Sequence, residues 1–197
     1  MAELFVRTGF VNIHLYDYDK VGGHNITNQL FGYNDIGQPK VKALKDHLLY
    51  INPGANIRAY NKPWSEGVPL RDTVVLAVDD IDTRRKLTKM YRGTTLITYL
   101  LDFRIGFTFA QHYAARCGDF NEILKSMEFS QDEAKFNQPK SPCNSKITSI
   151  ATIKTITSLG FNNFLKIILG KEWYPMLLID SMKPSIQALE PNQTTIQ

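Results

Sequence analysis

Along this chain, short continuous apolar runs alternate with stretches of helical spacing. In residues 2–8, AELFVRT, Leu4 and Phe5 fall on one side and Glu3 and Arg7 on the other, and Gly9 follows where a helix C-cap belongs. The spacing predicts the last turns of a helix. Residues 12–16, NIHLY, predict a buried strand with Asp17 and Asp19 at its C-terminal end. Gly37-Gln38-Pro39 marks a turn into a helix at 40–50, where Val41, Leu44, Leu48 and Leu49 share a face; Asn52-Pro53-Gly54 ends it. A short strand at 57–60 and a polar loop at 61–72 follow. Residues 73–78, TVVLAV, then form an unbroken β-branched run, as in a parallel strand buried on both faces, and they end in Asp79 and Asp80.

Asp82 is placed to cap a further helix, with Thr83, Arg84, Arg85 and Lys86 in its first turns. Residues 94–101, TTLITYLL, predict another strand, followed by Asp102, and the alternation in 105–114, IGFTFAQHYA, predicts an antiparallel one. EILKSMEF suits a short helix, and QDEAKFNQPKSPCNSK a polar crossover loop or lid. Ser145 or Asn144 can cap a long apolar helix at 147–169 that Gly170 ends; a strand follows at 175–180, and QALEPNQTTIQ is expected to fray. This order predicts an α/β fold: a Rossmann-like, doubly wound, mostly parallel sheet flanked by helices, with some antiparallel strands in the C-terminal half. With no internal repeat, the expectation is one domain over 1–197, with a half at 1–102, a crossover region at 117–145 and a C-terminal helix and strand at 146–197.

Composition changes this picture little. At 197 residues and 43% hydrophobic content the chain can bury a sizeable core. A net charge of +4 fits a phosphate pocket as well as a nucleic-acid surface; there is no basic stripe, so no specific nucleic acid is expected. Cys117 and Cys143 are the only cysteines, too few for a disulfide framework and wrongly spaced for a zinc site, so a reducing cytoplasm is the default. No apolar run reaches ~18 residues, and MAELFVRTGF has no hydrophobic region or cleavage site of a secretory signal, so no membrane partner is expected.

Four groups of candidate residues sit at or just after strand ends: Asp17 with Asp19; Asn25 with Asn28 and Gln29; Lys40; and Asp79. In open α/β sheets ligands bind outside the carboxyl ends of strands. Acids there suit a ribose or a metal, and equally suit a turn. If the ligand is a nucleoside triphosphate, a carboxylate can accept both ribose hydroxyls, amides can hold phosphate or ribose oxygens, lysine can supply charge for the phosphates, and a neighbouring acid can hold magnesium.

The blocks D-Y-D-K-V-G-G-H-N-I-T-N-Q, D-I-G-Q-P-K-V-K-A-L, I-N-P and V-V-L-A-V-D-D-I-D-T-R, taken in order, resemble the ThiF/MoeB/HesA family of ubiquitin-activating-enzyme-like adenylyltransferases. The match covers roughly 1–102, and more loosely 147–169 and 175–180. The resemblance implies ATP- and magnesium-dependent adenylation of a protein C-terminal carboxylate, the tail of a ubiquitin-like or sulfur-carrier protein or a peptide, by a homo- or heterodimer. Carried over position by position, Asp17 would bind the ribose with support from Asp19, Asn25 and Gln29 would line the phosphate region, Lys40 would neutralise the phosphates, and Asp79 would hold magnesium.

Two departures qualify the resemblance. Asn28 stands where the family usually has arginine, within N-x-x-R-Q, and losing a guanidinium contact there costs on the order of 2–4 kcal/mol in the transition state. A strand and Gly-rich phosphate turn should precede residues 2–8 and are not within the 197 residues, because Gly22-Gly23 follows the wrong strand. The strands at 12–16 and 73–78 would then lack their shared neighbour. The explanations, in order, are a reading frame that starts further upstream, a strand from another chain, and a degenerate relative. Cys143, in a polar stretch before a helix, is a candidate thiol acceptor, although an incidental cysteine is the simpler reading. Without paired Cys-x-x-Cys motifs, no structural zinc is expected. The alternative to an active enzyme is a catalytically inactive subunit that binds a ubiquitin-like tail or completes a heterodimer.

Overall fold

The structure, a computed structural model, describes residues 1–65, 68–128, 149–183 and 185–189. The chain packs as two compact units, Met1–Pro69 and Leu70–Gln197.

In the first unit, helix α1 (Ala2–Arg7) buries Phe5 and Val6 and closes its outer face with a 2.7 Å Arg7–Glu3 pair. Gly9, at φ +92°, lets the chain leave the helix. Strand β1 (Asn12–Tyr16) pairs in parallel with β2 (Asn56–Tyr60), Asn12 opposite Asn56 and Tyr16 opposite Tyr60. Parallel neighbours need a crossover, and α3 (Lys40–Ile51) provides it, after a short α2 (Gly23–Ile26) and a 3-10 turn at Tyr33–Asp35. The apolar stripe predicted at 40–50 packs inward: Leu48 joins Val6, Ala55 and Ile57 in the core, with Ile13, Leu15 and Leu44 against it.

The second unit is a five-stranded sheet in the order β3 (Asp72–Leu76), β4 (Ile97–Ile105), β5 (Phe109–Arg116), β6 (Met176–Asp180), β7 (Ser185–Leu189). β3 and β4 run parallel and are joined by α4 (Ile81–Tyr91); the remaining neighbours are antiparallel. A five-residue helix α5 (Asn121–Lys125) packs on α4 and β5, and the long apolar helix α6 (Ile150–Ile168) covers β4, β5 and β6. α6 comes close because position 160 is glycine: a Cβ there would lie 2.5 Å from the Phe103 ring and 2.9 Å from that of His112. The α/β class, with parallel strands first and antiparallel strands later, is as expected. Among the described residues β1 pairs with β2 alone and β3 with β4 alone. Among the same residues no helix is long and apolar enough to cross a membrane.

Several boundaries move for local reasons. β4 starts at Ile97 because Gly93 (φ +75°) and Thr94, whose N–H and hydroxyl both donate to Tyr91 O, finish α4 first. It runs on through Asp102 because two guanidiniums neutralise that carboxylate. A turn at Gly106–Thr108, with Gly106 N–H on Phe109 O at 2.9 Å, delays β5 to Phe109. The N-cap of α4 is Asp80, which accepts the Thr83 N–H at 2.7 Å, and not Asp82, which pairs with Arg85 instead. Ser149 caps α6, while Asn144 and Ser145 lie outside the described residues. Part of the tail expected to fray, Gln187–Leu189, belongs to β7 and pairs with β6.

Candidate functional site

At the carboxyl end of β1 the chain turns on its own carboxylate: Asp17 Oδ1 accepts the Asp19 N–H at 2.8 Å. Residues 19–21 then run back against 37–40. Lys40 N–H donates to Asp19 O (2.9 Å), Val21 N–H to Gln38 O (2.8 Å) and Gly37 N–H to Val21 O (2.8 Å). Gly37 holds φ +85°, and Val21, 2% exposed, pins the loop inward. Lys40, the first residue of α3, also reaches Asp19 with its side chain, Nζ to Oδ2 at 2.8 Å; the lysine side chain is 14% exposed and the aspartate 51%. Two sequence blocks 21 residues apart thus form one surface carrying Asp17, Asp19 and Lys40.

The amides distribute differently. Asn25 is 2% exposed, and its Oδ1 accepts the Gly22 N–H at 2.9 Å, which fixes the start of α2. Gln29 anchors its backbone N–H on Asn25 O at 2.8 Å and exposes its side chain. Asn28 is half-buried, and its Oδ1 is buried without a hydrogen-bond partner among the described residues. At the same strand ends Tyr16 and Tyr60 stack with ring centroids 4.6 Å apart and planes 11° apart, and Lys62 Nζ lies 5.9 Å from the Tyr60 ring. Sequence reasoning did not single out this aromatic pair; two tyrosines 44 positions apart give no local signal, and only the parallel register Tyr16↔Tyr60 joins them.

Asp79 belongs to the second unit, exposed beyond the end of β3. Asp80 beside it caps α4. One turn later the guanidinium of Arg84 pairs with Asp102 Oδ1 and donates to the carbonyls of Val78 and Phe103, the latter at 2.8 Å. Asp102 is fully buried, and its second oxygen takes Arg104, Nε to Oδ2 at 2.8 Å. Arg104 also donates to Ser126 O (2.9 Å) and Ser126 Oγ (3.0 Å) and lies 4.5 Å from the Tyr113 ring centroid. Burial brings the Arg84 guanidinium down to about 10 and Arg104 adds to that, while Asp79 and Asp80 pull the other way. Sequence reasoning noted Arg84 and Asp102 in passing and missed their pairing.

This donor set can meet a polyphosphate and a ribose through Lys40, Asp17 and the exposed Gln29 amide. Among the described residues no three of His, Cys, Asp and Glu converge to hold a metal by themselves. Magnesium, however, ordinarily takes one or two carboxylates and fills its shell with phosphate oxygens and water, so an exposed Asp79 at a strand end suits it. Cys117 is a free, exposed thiol at φ +48° in the turn after β5. Cys143 lies outside the described residues.

The ThiF family model matches residues 1–195. Over 61 residues the chain is 36% identical to ubiquitin-like modifier-activating enzyme 5 of Caenorhabditis elegans, a stretch that is 31% of this chain and 15% of that enzyme. Over 95 residues it is 31% identical to tRNA threonylcarbamoyladenosine dehydratase 2 of Saccharomyces cerevisiae, covering 43% of this chain and 21% of that protein. Among solved structures it resembles Escherichia coli MccB with ATP, with a TM-score of 0.69 at 16% identity over 96% of this chain and 59% of that one. MccB has also been crystallised with AMPCPP and MccA, at a TM-score of 0.68 and 16% identity over 96% of this chain and 59% of that one. The chain therefore spans well under two thirds of the length of the proteins it matches.

Proposed function

From the premise that this chain belongs to the ThiF family, we propose that it is the nucleotide-handling part of an ATP-dependent adenylyltransferase that activates the C-terminal carboxylate of a ubiquitin-like or sulfur-carrier protein or of a peptide. The observation that carries the reading is the loop closure at β1, which places Asp17, Asp19 and Lys40 on one surface through the paired Lys40–Asp19 contacts. Asp17, oriented by the Asp19 N–H, accepts ribose hydroxyls, with Asp19 in support. Lys40 offers its ammonium to phosphate oxygens. Gln29 faces the same solvent with its amide, Asn25 holds the loop from within, and Asn28 occupies the place of the family's arginine. Asp79 holds magnesium. ATP with magnesium, when bound, supplies a phosphorus to which a carboxylate is joined with loss of pyrophosphate; the chain orients the reactants and stabilises charge around them. On this reading the protein acts as a homo- or heterodimer in a reducing cytoplasm.

Calorimetry with ATP–Mg²⁺ tests this. The expected result is micromolar binding, with pyrophosphate exchange in the presence of an acceptor tail that Asp79→Ala reduces at least ~100-fold. Exchange unchanged by Asp79→Ala removes that residue from the mechanism. Absence of any nucleotide binding favours the second reading, a non-catalytic subunit that binds a tail or completes a heterodimer. Asn28 in the arginine's place supports that alternative.

A further inference from the structure

Asp79 follows a strand whose ladder ends at Leu76, so among the described residues Ala77 and Val78 have no strand pairing to hold them. A segment without ladder pairing ordinarily fluctuates. The segment is instead closed from both sides. On the far side Asp80 caps α4 through the Thr83 N–H, and Arg84 N–H donates to Asp80 O at 3.2 Å. On the near side the Arg84 side chain reaches back to the Val78 carbonyl. That carbonyl belongs to the same peptide unit as the Asp79 nitrogen, so holding it sets the plane from which Asp79 departs. Arg84 is itself immobilised: it is 6% exposed, paired with the fully buried Asp102, and donates to Phe103 O at 2.8 Å. Asp102 stands opposite Leu76, the last paired residue of β3. Two guanidiniums on one carboxylate leave a net positive charge inside the unit, behind Asp79 and Asp80.

We propose that Arg84 is a positioning residue for Asp79: anchored on Asp102 and on the Phe103 carbonyl, its guanidinium clamps the Val78 carbonyl and fixes the direction in which the Asp79 carboxylate is presented. Only the functional consequence, that the presented carboxylate meets magnesium, rests on the reading above. Lysine cannot replace the clamp, because one ammonium cannot reproduce a planar fork that meets a carboxylate and two carbonyls at once. Arg104 is the internal control: it shares the Asp102 carboxylate yet its other hydrogen bonds among the described residues go to Ser126.

The test is amide relaxation on the 15N-labelled 197-residue chain, with the wild type beside Arg84→Met, Arg84→Lys and Arg104→Met. Removing either arginine leaves Asp102 one partner, so neither creates a lone buried carboxylate. In the wild type the Asp79 amide is expected at an order parameter near ~0.85, and in both Arg84 variants below ~0.6, with Arg104→Met at the wild-type value. An Asp79 amide already mobile in the wild type overturns the proposal without any variant. So does an Arg84 variant with Asp79 as ordered as before, or an Arg104→Met variant that loosens it equally. In parallel, the magnesium concentration for half-maximal pyrophosphate exchange should rise about tenfold or more in Arg84→Met and stay put in Arg104→Met. If Asp79→Asn shifts the magnesium dependence and Arg84→Met does not, positioning toward the metal is overturned and the functional reading stands. If Asp79→Asn shifts nothing, the functional reading of Asp79 fails, and the relaxation data judge the clamp alone.

Discussion

The loops after β1 and β3 both present carboxylates at strand ends, yet they are held by opposite means. The loop after β1 is held by backbone: three N–H···O=C bonds between 19–21 and 37–40, one Asx turn and the buried Val21. Its charged pair, Lys40 and Asp19, leaves the aspartate half exposed to solvent and is expected to add little to stability. Among the described residues the loop after β3 has no such ladder; its Val78 carbonyl is held by Arg84, which is anchored on the buried Asp102. A surface closed by backbone can change its charges without coming apart. A surface closed by buried charge cannot lose the carboxylate at its centre, because that leaves two guanidiniums facing a low-dielectric interior.

The contrast makes its largest prediction at Asp102. Asp102→Ala leaves two guanidiniums with no carboxylate and should cost about 3–5 kcal/mol, seen as a lower urea midpoint. Asp19→Ala, at an exposed pair, should cost less than ~1 kcal/mol. Equal losses would break the comparison. The variants Asp79→Ala and Arg84→Met sharpen it at the level of function, since both act on the loop after β3 without opening the loop after β1.

A second buried polar group in the same unit gives a pH signature. His112 has no exposed surface and stacks on Phe103 with centroids 4.5 Å apart; its Nε2 lies 3.4 Å from Asn163 Nδ2, and its Nδ1 has no partner among the described residues. Burial lowers its pKa from 6.5 to about 3. The folded pKa is the depressed one, so the unfolded chain binds the proton first. The stabilising contribution of neutral His112 is complete above pH 6.5 and is lost as pH falls from there toward 3, at a slope of up to one proton. Urea unfolding between pH 7 and 5 in wild type and His112→Gln should show this slope in the wild type only; the same slope in both would assign it to other groups.

What the sequence made legible follows the same division. The loop after β1 could be read because its parts are contiguous blocks: an apolar strand, two acids, then Gly-Gln-Pro-Lys entering a helix with its stripe at 41, 44 and 48. TVVLAV announced a parallel strand for the same reason, but the strand spans Asp72–Leu76, only Val74 and Leu76 of it are buried, and Ala77 and Val78 are exposed. The clamp under Asp79 was not legible. Arg84 follows two acids and precedes two more cations, which on a helix reads as a solvated first turn, and Asp102 after an apolar run reads as a strand terminator. Only the β3–β4 register, Leu76 opposite Asp102, puts them together. The misplaced cap has a similar origin: Asp80 and Asp82 are equivalent in composition, and the turn geometry decides between them. β7 was missed because SIQAL, exposed at every position, carries no burial pattern at all.

The smallest effect on stability concerns Lys40, and it is the most informative about chemistry. Lys40→Gln removes a 2.8 Å ion pair in which Asp19 is half exposed, so unfolding should shift by no more than ~1 kcal/mol. On the adenylyltransferase reading the same change deletes a charged donor to phosphate, worth ~1.5–3 kcal/mol, so ATP–Mg²⁺ affinity should fall by about 10- to 100-fold in calorimetry. Asp19→Asn separates the two roles open to Asp19. The Asp19 N–H that orients Asp17 is backbone and survives the change. A few-fold rise in affinity in Asp19→Asn would make the Asp19 carboxylate the counter-ion that Lys40 must leave, against the supporting role proposed for it. If it instead supports the ribose, affinity falls, and Lys40 keeps its aspartate while it engages the phosphates.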